Sequence, residues 1–582
     1  MAEITVIPST AHLPAAEAWL HAHPGRLTLD TETTGLDVFA PGFQVGVVAL
    51  GHSDGAVLAF PGRDRGLVRQ VLIRAAAGDR PLWAHNAVYD AWALRITSGV
   101  KLSRLRCSLV AARVAYPDRF TSSEGFSLKT LRPTTQTAQD ALQARFAQTH
   151  PDPARRSDWL PSAVRGLAWD TPELLAYVGE DTVEGARLVD GLAAHAELRQ
   201  FMLDEVRTDQ IWRWQGFDGI RVDHARLRAM HDAVAPALAA AEAEFGFQPW
   251  TSTRVRQAYV ESLGVTLART KTGALRLGKR ERPTATVPDE ATEAWGRFCA
   301  AIDLHADQTQ VAQLLASGGL LRSRIAVNGA VTGRSTSAGP NLQNFSPAVR
   351  ETVLAAPGCV LVGADLSHVE PSVLAAITRD PLLVEHCAPG RDVYVEVAAI
   401  IWGGTALETD ADGAPTAVAA KLRKRAKIVF LALTYGMGNA ALAATLGTDE
   451  DEAKRIRASA LGVYTGLAWW SKDVTARAKA GERLTTLAGR PLPLLTDAAY
   501  RAVNYVIQGS AADIFKAMTR EIAAGLPAGA RVLIPVHDEL IVECREEDAD
   551  PVATLIRTAM HTEIDGVPVW GDPEIIGTRW RK

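Results

Sequence analysis

Cysteine is scarce and scattered along this 582-residue chain: Cys107, Cys299, Cys359, Cys387 and Cys544 are odd in number and form no CxxC pair. That pattern argues against a disulfide framework or a cysteine-ligated zinc site and fits a reducing, cytoplasmic compartment. Each thiol is expected to be a small buried apolar residue. Long apolar runs are missing too. No stretch approaches the roughly 18 uninterrupted residues of a membrane helix, so no membrane association is expected. The N-terminus lacks a basic region followed by a long apolar run, so no signal peptide is expected. Neither sign of charge dominates: the net charge is −4. That total gives no overall pull toward a polyanion, although a large enzyme can keep basic channels inside it. Repeats and low-complexity tracts are absent as well. What is present is 47% hydrophobic residues, enough to bury more than one core at this length.

Leu27-Thr28-Leu29-Asp30 reads as a strand, with Val45 to Leu50 and Ala56 to Phe60 as partners and a polar turn between those two. Mixed strand and helix patterns continue to about Leu188, the pattern of an α/β domain. A long helical stretch from Ala194 to Phe217, closing near Gly216 and Gly219, marks a boundary. From 224 to about 320 the pattern is mostly helical. It is interrupted by Arg269, Lys271, Arg276, Lys279, Arg280 and Arg282 with two glycines between them, either a solvated loop or a phosphate-gripping one. Strands and turns return over 330–380, helices over 381–486, and both over 487–582.

Acidic residues fall into two sets. In Asp30-Thr31-Glu32 the carboxylates are two apart, so in a strand they share a face. Side by side they repel unless a divalent cation lies between them. His85-Asn86-Ala87-Val88-Tyr89-Asp90 adds a third acid, and Tyr177-Val178-Gly179-Glu180-Asp181 places a phenol and a fourth acid on one helix face. Four acids and a phenol suit two-metal hydrolysis of a phosphodiester. These motifs resemble those of the DnaQ-like 3′–5′ exonucleases in the form found in DNA polymerase I. The resemblance implies that Asp30, Glu32, Asp90 and Asp181 are metal ligands and that Tyr177 orients the attacking water. Cys107 stands where relatives often carry an Asp that is not a ligand.

The second set is distant from the first. Cys359 to Asp365 reads as a buried strand ending in an acid. Val532 to Val536 and Leu540 to Val542 flank His537-Asp538-Glu539, so a hairpin would carry Asp538 at its tip. If the two strands are neighbours, Asp365 and Asp538 can share two cations about 4 Å apart. Between them Arg423, Lys427, Leu431 and Tyr435 recur every four residues, a stripe whose cationic half can hold a triphosphate and whose aromatic end can meet a base.

Together these segments resemble the polymerase domain of family A DNA polymerases. The carrying motifs are Thr332 to Asn344, Asp365 to Glu370, Arg423 to Gly436, Asn504 to Asp513, His537-Asp538-Glu539 and the terminal Gly577-Thr578-Arg579-Trp580. The implied fold is an RNase H-like exonuclease domain (1–193) followed by a right-hand polymerase domain (194–582), α/β and α+β in class. Its thumb would span about 224–325, its palm about 326–380 and 487–582, and its fingers about 381–486. The implied cofactor is Mg²⁺, two per active site, with Mn²⁺ also accepted. Asp365 and Asp538 would bind the metals with Glu539 beside them, and Arg423 and Lys427 would hold phosphates, Lys427 also protonating pyrophosphate. Tyr435 would guard the templating position, and Glu370 would fill the space of a ribose 2′-hydroxyl. Arg334, Asn341, Gln343, Asn344, Asn504, Gln508 and His537 would contact primer and template. DNA and dNTPs are the implied partners of a monomeric enzyme, with a helicase and a single-strand binding protein as replisome partners.

Several positions depart from the family pattern. Pro371-Ser372 replaces a usual Leu-Arg, Tyr394 stands for a phosphate-contacting His, Arg501 is one residue closer to Asn504, and Leu431 replaces an aromatic residue. Leu431 is expected to face the incoming sugar and to disfavour dideoxynucleotides. No 5′ nuclease segment is expected ahead of the exonuclease motifs. These features look like a bacteriophage replicative enzyme. A single-subunit RNA polymerase shares related motifs, but an acid at Glu370 argues against it. A catalytically dead binding protein would have to keep all the metal carboxylates by accident.

Overall fold

The computed structural model describes residues 3–77, 80–120, 125–132, 136–149, 159–264, 289–434 and 437–581. Two sheets organise them. The N-terminal sheet has the strand order Glu3–Val6, Ala56–Pro61, Val45–Gly51, Leu27–Thr33, Leu82–Ala84, Arg106–Cys107. Val45–Gly51 runs antiparallel to both neighbours, whereas Leu27–Thr33, Leu82–Ala84 and Arg106–Cys107 are parallel. Both faces are covered, which is why these strands read as near-continuous apolar runs. Leu27, Leu29, Val48 and Leu50 pack with Leu67, Val68 and Val71 on one side. Val47, Ala49 and Val57 pack with Leu174, Tyr177 and Val178 on the other. Gly51 and Gly185 let the Pro172–Ala193 helix settle directly on the sheet: a Cβ at either would come within 2.7 Å of Thr182 or Thr28. That close approach brings the helix's acids to the central strand.

The C-terminal sheet is antiparallel, in the order Arg531–Val536, Glu539–Arg545, Cys359–Ser367, Val567–Gly577, His561–Ile564. Val360, Val362 and Ala364 face a core with Val506, Phe515 and Ile556. Leu361, Leu533 and Ile541 face a second one with Ile220, Leu227 and Trp580. The sheet therefore carries helices such as Ala502–Gly525 on one side. The helical expectation for 381–486 holds, with Ala417–Thr434 as its longest member. Over 224–320, the helices His224–Phe245, Thr253–Ser262 and Asp289–Leu315 share a small core of Val260, Trp295 and Phe298. The basic segment between Arg269 and Arg282 lies outside the described residues.

Two readings need adjustment. The stretch from Ala194 is not one helix: a short 3₁₀ turn, Ala196–Leu198, precedes Arg199–Asp218, which stops at Gly219 in a positive-φ conformation. Cys107, Cys387 and Cys544 are buried, but Cys299 and Cys359 are only partly so. The first of these two lies on a long helix with a solvent face, and the second opens its strand.

Buried charge ties the helix that follows the N-terminal domain to the C-terminal core. Glu205, on Arg199–Asp218, accepts from Lys516 Nζ at 2.8 and 3.0 Å and pairs with Arg490 at 2.8 Å. Arg490 also pairs with Asp513 at 2.7 Å, and Thr486 donates to the same Asp513 at 2.7 Å. Burial pushes the Lys516 ammonium down to about 8. Burial also opposes ionisation of Glu205, but Arg490 and Lys516 hold its carboxyl below the ordinary range. At the rim, Asn328 Nδ2 donates to Val110 O (3.0 Å) and Arg483 pairs with Asp118 (2.6 Å).

Candidate active sites

Asp30 and Glu32 leave the same face of Leu27–Thr33, and Asp181 reaches them from Pro172–Ala193. One carboxylate oxygen from each lies within 4.8 Å of the others. Asp90, at the start of Val88–Ser98, is buried and accepts from Thr31 Oγ at 2.7 Å. It stands beside the trio, held by a threonine whose role no motif announced, although it sits between the two acids in sequence.

The electrostatics are those of a site short of positive charge. Burial, followed by the charges of Asp90 and Asp181, pushes Asp30 well above the carboxylate range. Glu32 is raised by burial and then by Asp30, Asp181 and Asp90, with Lys129 opposing. Burial takes Asp90 up to about 7, relieved by Thr31. Asp181 goes up to about 6 by burial, opposed by Lys129 and by the Tyr177 hydroxyl. Glu180 Oε2 and Asp181 Oδ1 are buried with no hydrogen-bond partner. An all-oxygen donor set with orphaned carboxylate oxygens and mutual repulsion fits a hard divalent cation. Tyr177 is buried, its phenol engaged with Asp181 and its ring 5.3 Å from the Lys129 ammonium. Lys129 is a second residue the sequence reading missed.

In the second half, the predicted neighbourhood of strands is present. Cys359–Ser367 pairs antiparallel with Glu539–Arg545, with Asp365 opposite Glu539. Val536 pairs with Glu539, so His537 and Asp538 form a two-residue turn, and His537 takes the positive φ such turns need. Leu366 N donates to Asp538 O at 3.1 Å, which seats the tip against the neighbouring strand. Burial and then the charge of Asp365 push Asp538 up to about 6. Glu539 lies beside Asp365 in register, but its buried carboxylate is engaged by Arg350 at 2.9 Å, whose guanidinium lies over Trp580. Arg350 was not singled out from the sequence.

The basic stripe lies on Ala417–Thr434, with Arg423 half-buried, Lys427 exposed and Leu431 half-buried. Arg423 pairs with Asp392 at 2.6 Å, and Asp392 also caps the Val393–Trp402 helix by accepting from Tyr394 N and Val395 N. The Arg423 and Lys427 cations lie 5.7 and 5.4 Å from the centre of the buried Tyr394 ring, which His368 meets edge-on. Tyr394 is thus a floor beneath both cations. Tyr435 and Gly436 lie outside the described residues.

Arg334 forms an ion pair with Glu370. Asn341 accepts from Ser337 Oγ (2.8 Å) and Gln343 N (3.1 Å), and Gln343 Nε2 donates to Ser335 Oγ (3.0 Å). These two side chains shape their own segment, and Asn344 beside them is exposed. Asn504 and Gln508 are half-buried, one turn apart on Ala502–Gly525, and Asn504 Oδ1 has no partner. A Cβ on Gly509 would come within 3.1 Å of Thr332 O, so the 332–344 segment starts in contact with that helix. Arg334, His537 and Asp538 line one small cavity.

Residues 305–582 match the family model described as DNA polymerase family A. That segment is just under half of the chain. The DNA polymerase of Mycobacterium phage L5 is 26% identical over 99% of this chain and 96% of its own length. That of Mycobacterium phage D29 is 24% identical over the same shares. The thermostable DNA polymerase I of Thermus filiformis is 32% identical, over 42% of this chain and 30% of its own. Among solved structures, the polymerase domain of Pol1 from M. smegmatis, in complex with DNA primer-template and dNTP, covers 99% of both chains. Its TM-score is 0.70 at 24% identity, a likeness of fold that spans both sheets. No described helix is long and apolar enough to cross a membrane.

Proposed function

We propose that the chain is a template-directed DNA polymerase with a proofreading 3′–5′ exonuclease, the two chemistries divided at about residue 193 and each run by two divalent cations, most simply Mg²⁺. The observation that carries the reading is the pair of acid clusters, Asp30/Glu32/Asp181 and Asp365/Asp538, on separate sheets. Bound cations supply charge neutralisation, activation of the attacking oxygen and stabilisation of the leaving oxygen.

The protein's residues do the rest. Asp365, on the neighbouring strand, and Asp538, at the hairpin tip, would hold the cations. Arg423 and Lys427 bind the triphosphate, and Lys427 gives a proton to the departing pyrophosphate. Arg423 reaches the phosphates by exchanging Asp392 for them, a switch between two acidic partners. At the N-terminal site Asp30, Glu32, Asp90 and Asp181 hold the scissile phosphate's counter-ions, and Tyr177 fixes the water. Primer extension with dNTPs, then with NTPs, then with no nucleotide tests the whole reading. Extension with dNTPs alone and primer shortening without nucleotide are the expected results.

Glu370→Ala is expected to lower discrimination against ribonucleotides. A truncated side chain leaves room for the 2′-hydroxyl, the group by which proteins tell RNA from DNA. Because Arg334 pairs with Glu370, the variant also frees that cation, so primer affinity must be measured alongside. The readout is the ratio of dNTP to rNTP incorporation efficiency, and an unchanged ratio would assign the gate elsewhere.

Metal affinity should fall with pH, because the carboxyls raised by burial to about 7 at Asp90 and about 6 at Asp181 must shed protons first. In the metal-free protein these raised values favour the folded state at low pH, and that advantage is lost as pH rises through them. Saturating Mg²⁺ should therefore raise Tm more at about pH 8 than at about pH 5.5. Equal gains at both pH values would count against cation binding by these acids.

A further inference from the structure

His368 stands at the N-cap of the Val369–Thr378 helix, but its side chain does not cap that helix. Its φ is +49°, a left-handed conformation that residues other than glycine adopt rarely, Asn, Asp and His most often among them. The half-buried imidazole meets the Tyr394 ring edge-on, with centres 5.1 Å apart. Its Nε2 lies 3.9 Å from Asp392 Oδ1, just beyond hydrogen-bond distance.

Asp392 has two sets of partners. Its Oδ2 is gripped by Arg423 through Nε and Nη2, each at 2.6 Å. Its Oδ1 accepts from Tyr394 N at 2.9 Å and Val395 N at 3.3 Å, which caps the Val393–Trp402 helix. When the Arg423 guanidinium turns to a triphosphate, the carboxylate cannot follow, because the cap holds it. It then needs another cation, and the imidazole is within a small side-chain rotation.

The charges around His368 point the same way. Without nucleotide, burial holds the imidazole below its ordinary value; Arg423 and Lys427 add to the lowering, and Asp392 and Asp365 oppose it. The ring is therefore mostly neutral at about pH 7. A triphosphate laid on Arg423 and Lys427 offsets the two cations that repel a proton and leaves Asp392 without its guanidinium. Both changes favour the imidazolium.

We propose, on the reading of Arg423 and Lys427 as the triphosphate grip, that His368 is a positioning residue: it takes one proton from solvent as nucleotide binds and replaces Arg423 on Asp392. The cationic ring is then the form that favours binding. Affinity is greatest where the ring is already charged without nucleotide. It falls as pH rises, by up to about tenfold per unit, until the ring is neutral with nucleotide bound as well.

The test is calorimetric titration of the full chain with dATP in EDTA at about pH 7, in two buffers of unlike protonation enthalpy, which counts the protons taken up. His368→Asn is the comparison, since Asn tolerates the left-handed backbone and cannot titrate. Proton exchange by the nucleotide's own phosphates is common to both chains. The parent is expected to take up roughly one proton more than the variant, and its dATP affinity to fall more steeply between about pH 6 and 8. Asp392→Asn, which keeps an oxygen for the helix cap, should lose the same proton. In primer extension with Mg²⁺, His368→Asn should raise the KM for dNTP more than it lowers kcat. Thermal melting checks the fold, and His368→Gln replaces the Asn variant should that one unfold. Saturable dATP binding with equal proton uptake in parent and variant would overturn the role of His368 and leave the triphosphate grip standing. Absence of saturable dATP binding by the parent up to about 1 mM would overturn both.

Discussion

Asp365→Ala or Asp538→Ala lowers primer extension by more than about 100-fold and leaves digestion of single strands intact. Loss of groups that merely support metal ligands costs about 10- to 100-fold, and these two carboxylates would be the ligands themselves. Their proximity is electrostatically visible, since the charge of Asp365 helps push Asp538 up to about 6. Neither substitution should unfold the sheet. Asp365 is exposed at the end of its strand, and Asp538 sits in a turn whose backbone bond to Leu366 survives truncation. Removing Asp365 also relieves Asp538, so the variant should melt no earlier than the parent above about pH 6. Single-turnover extension decides the matter: a rate within about tenfold of the parent would end the assignment.

The reciprocal change is Asp30→Ala with Glu32→Ala. It should abolish shortening of single strands and leave nucleotide addition nearly unchanged, so that mismatched primer ends persist. The expected loss again exceeds about 100-fold, because it removes two of three clustered carboxylates. The same double variant should raise Tm in metal-free buffer, since it deletes buried acids that repel one another and Asp181. Degradation at the parental rate in Mg²⁺ would mean that the N-terminal cluster does something other than hydrolysis.

The sequence was most readable where chemistry and local periodicity coincide. Asp30 and Glu32 sit two apart on a strand, so their common face followed from the pleat alone. Asp365 and the His537-Asp538 turn could be paired because apolar runs of strand length flank each acid. The cationic stripe needed only the helical repeat. What escaped were the residues that hold these groups from a distance in sequence. Arg350 engages Glu539 across 189 residues, and Asp392 engages Arg423 across 31. Lys129 and Thr31 temper the acids beside them, yet neither belongs to a motif. Asn341 and Gln343 also brace their own segment through Ser337 and Ser335, contacts that their motif does not signal. Such pairings depend on which surfaces the folded chain brings together, and no local spacing encodes that.

Glu205, Arg490, Asp513 and Lys516 have a consequence for movement. Their side chains are 2 to 4% exposed, and they tie the Arg199–Asp218 helix to the Ala502–Gly525 helix. Parting them would strand ions in a medium of low dielectric, and orphaning even one member of a buried pair costs about 3–5 kcal/mol. Opening a hinge at this seam would therefore carry at least that cost. On the proposed reading of two active sites, it is then the primer end, and not the seam, that moves between the two acidic centres.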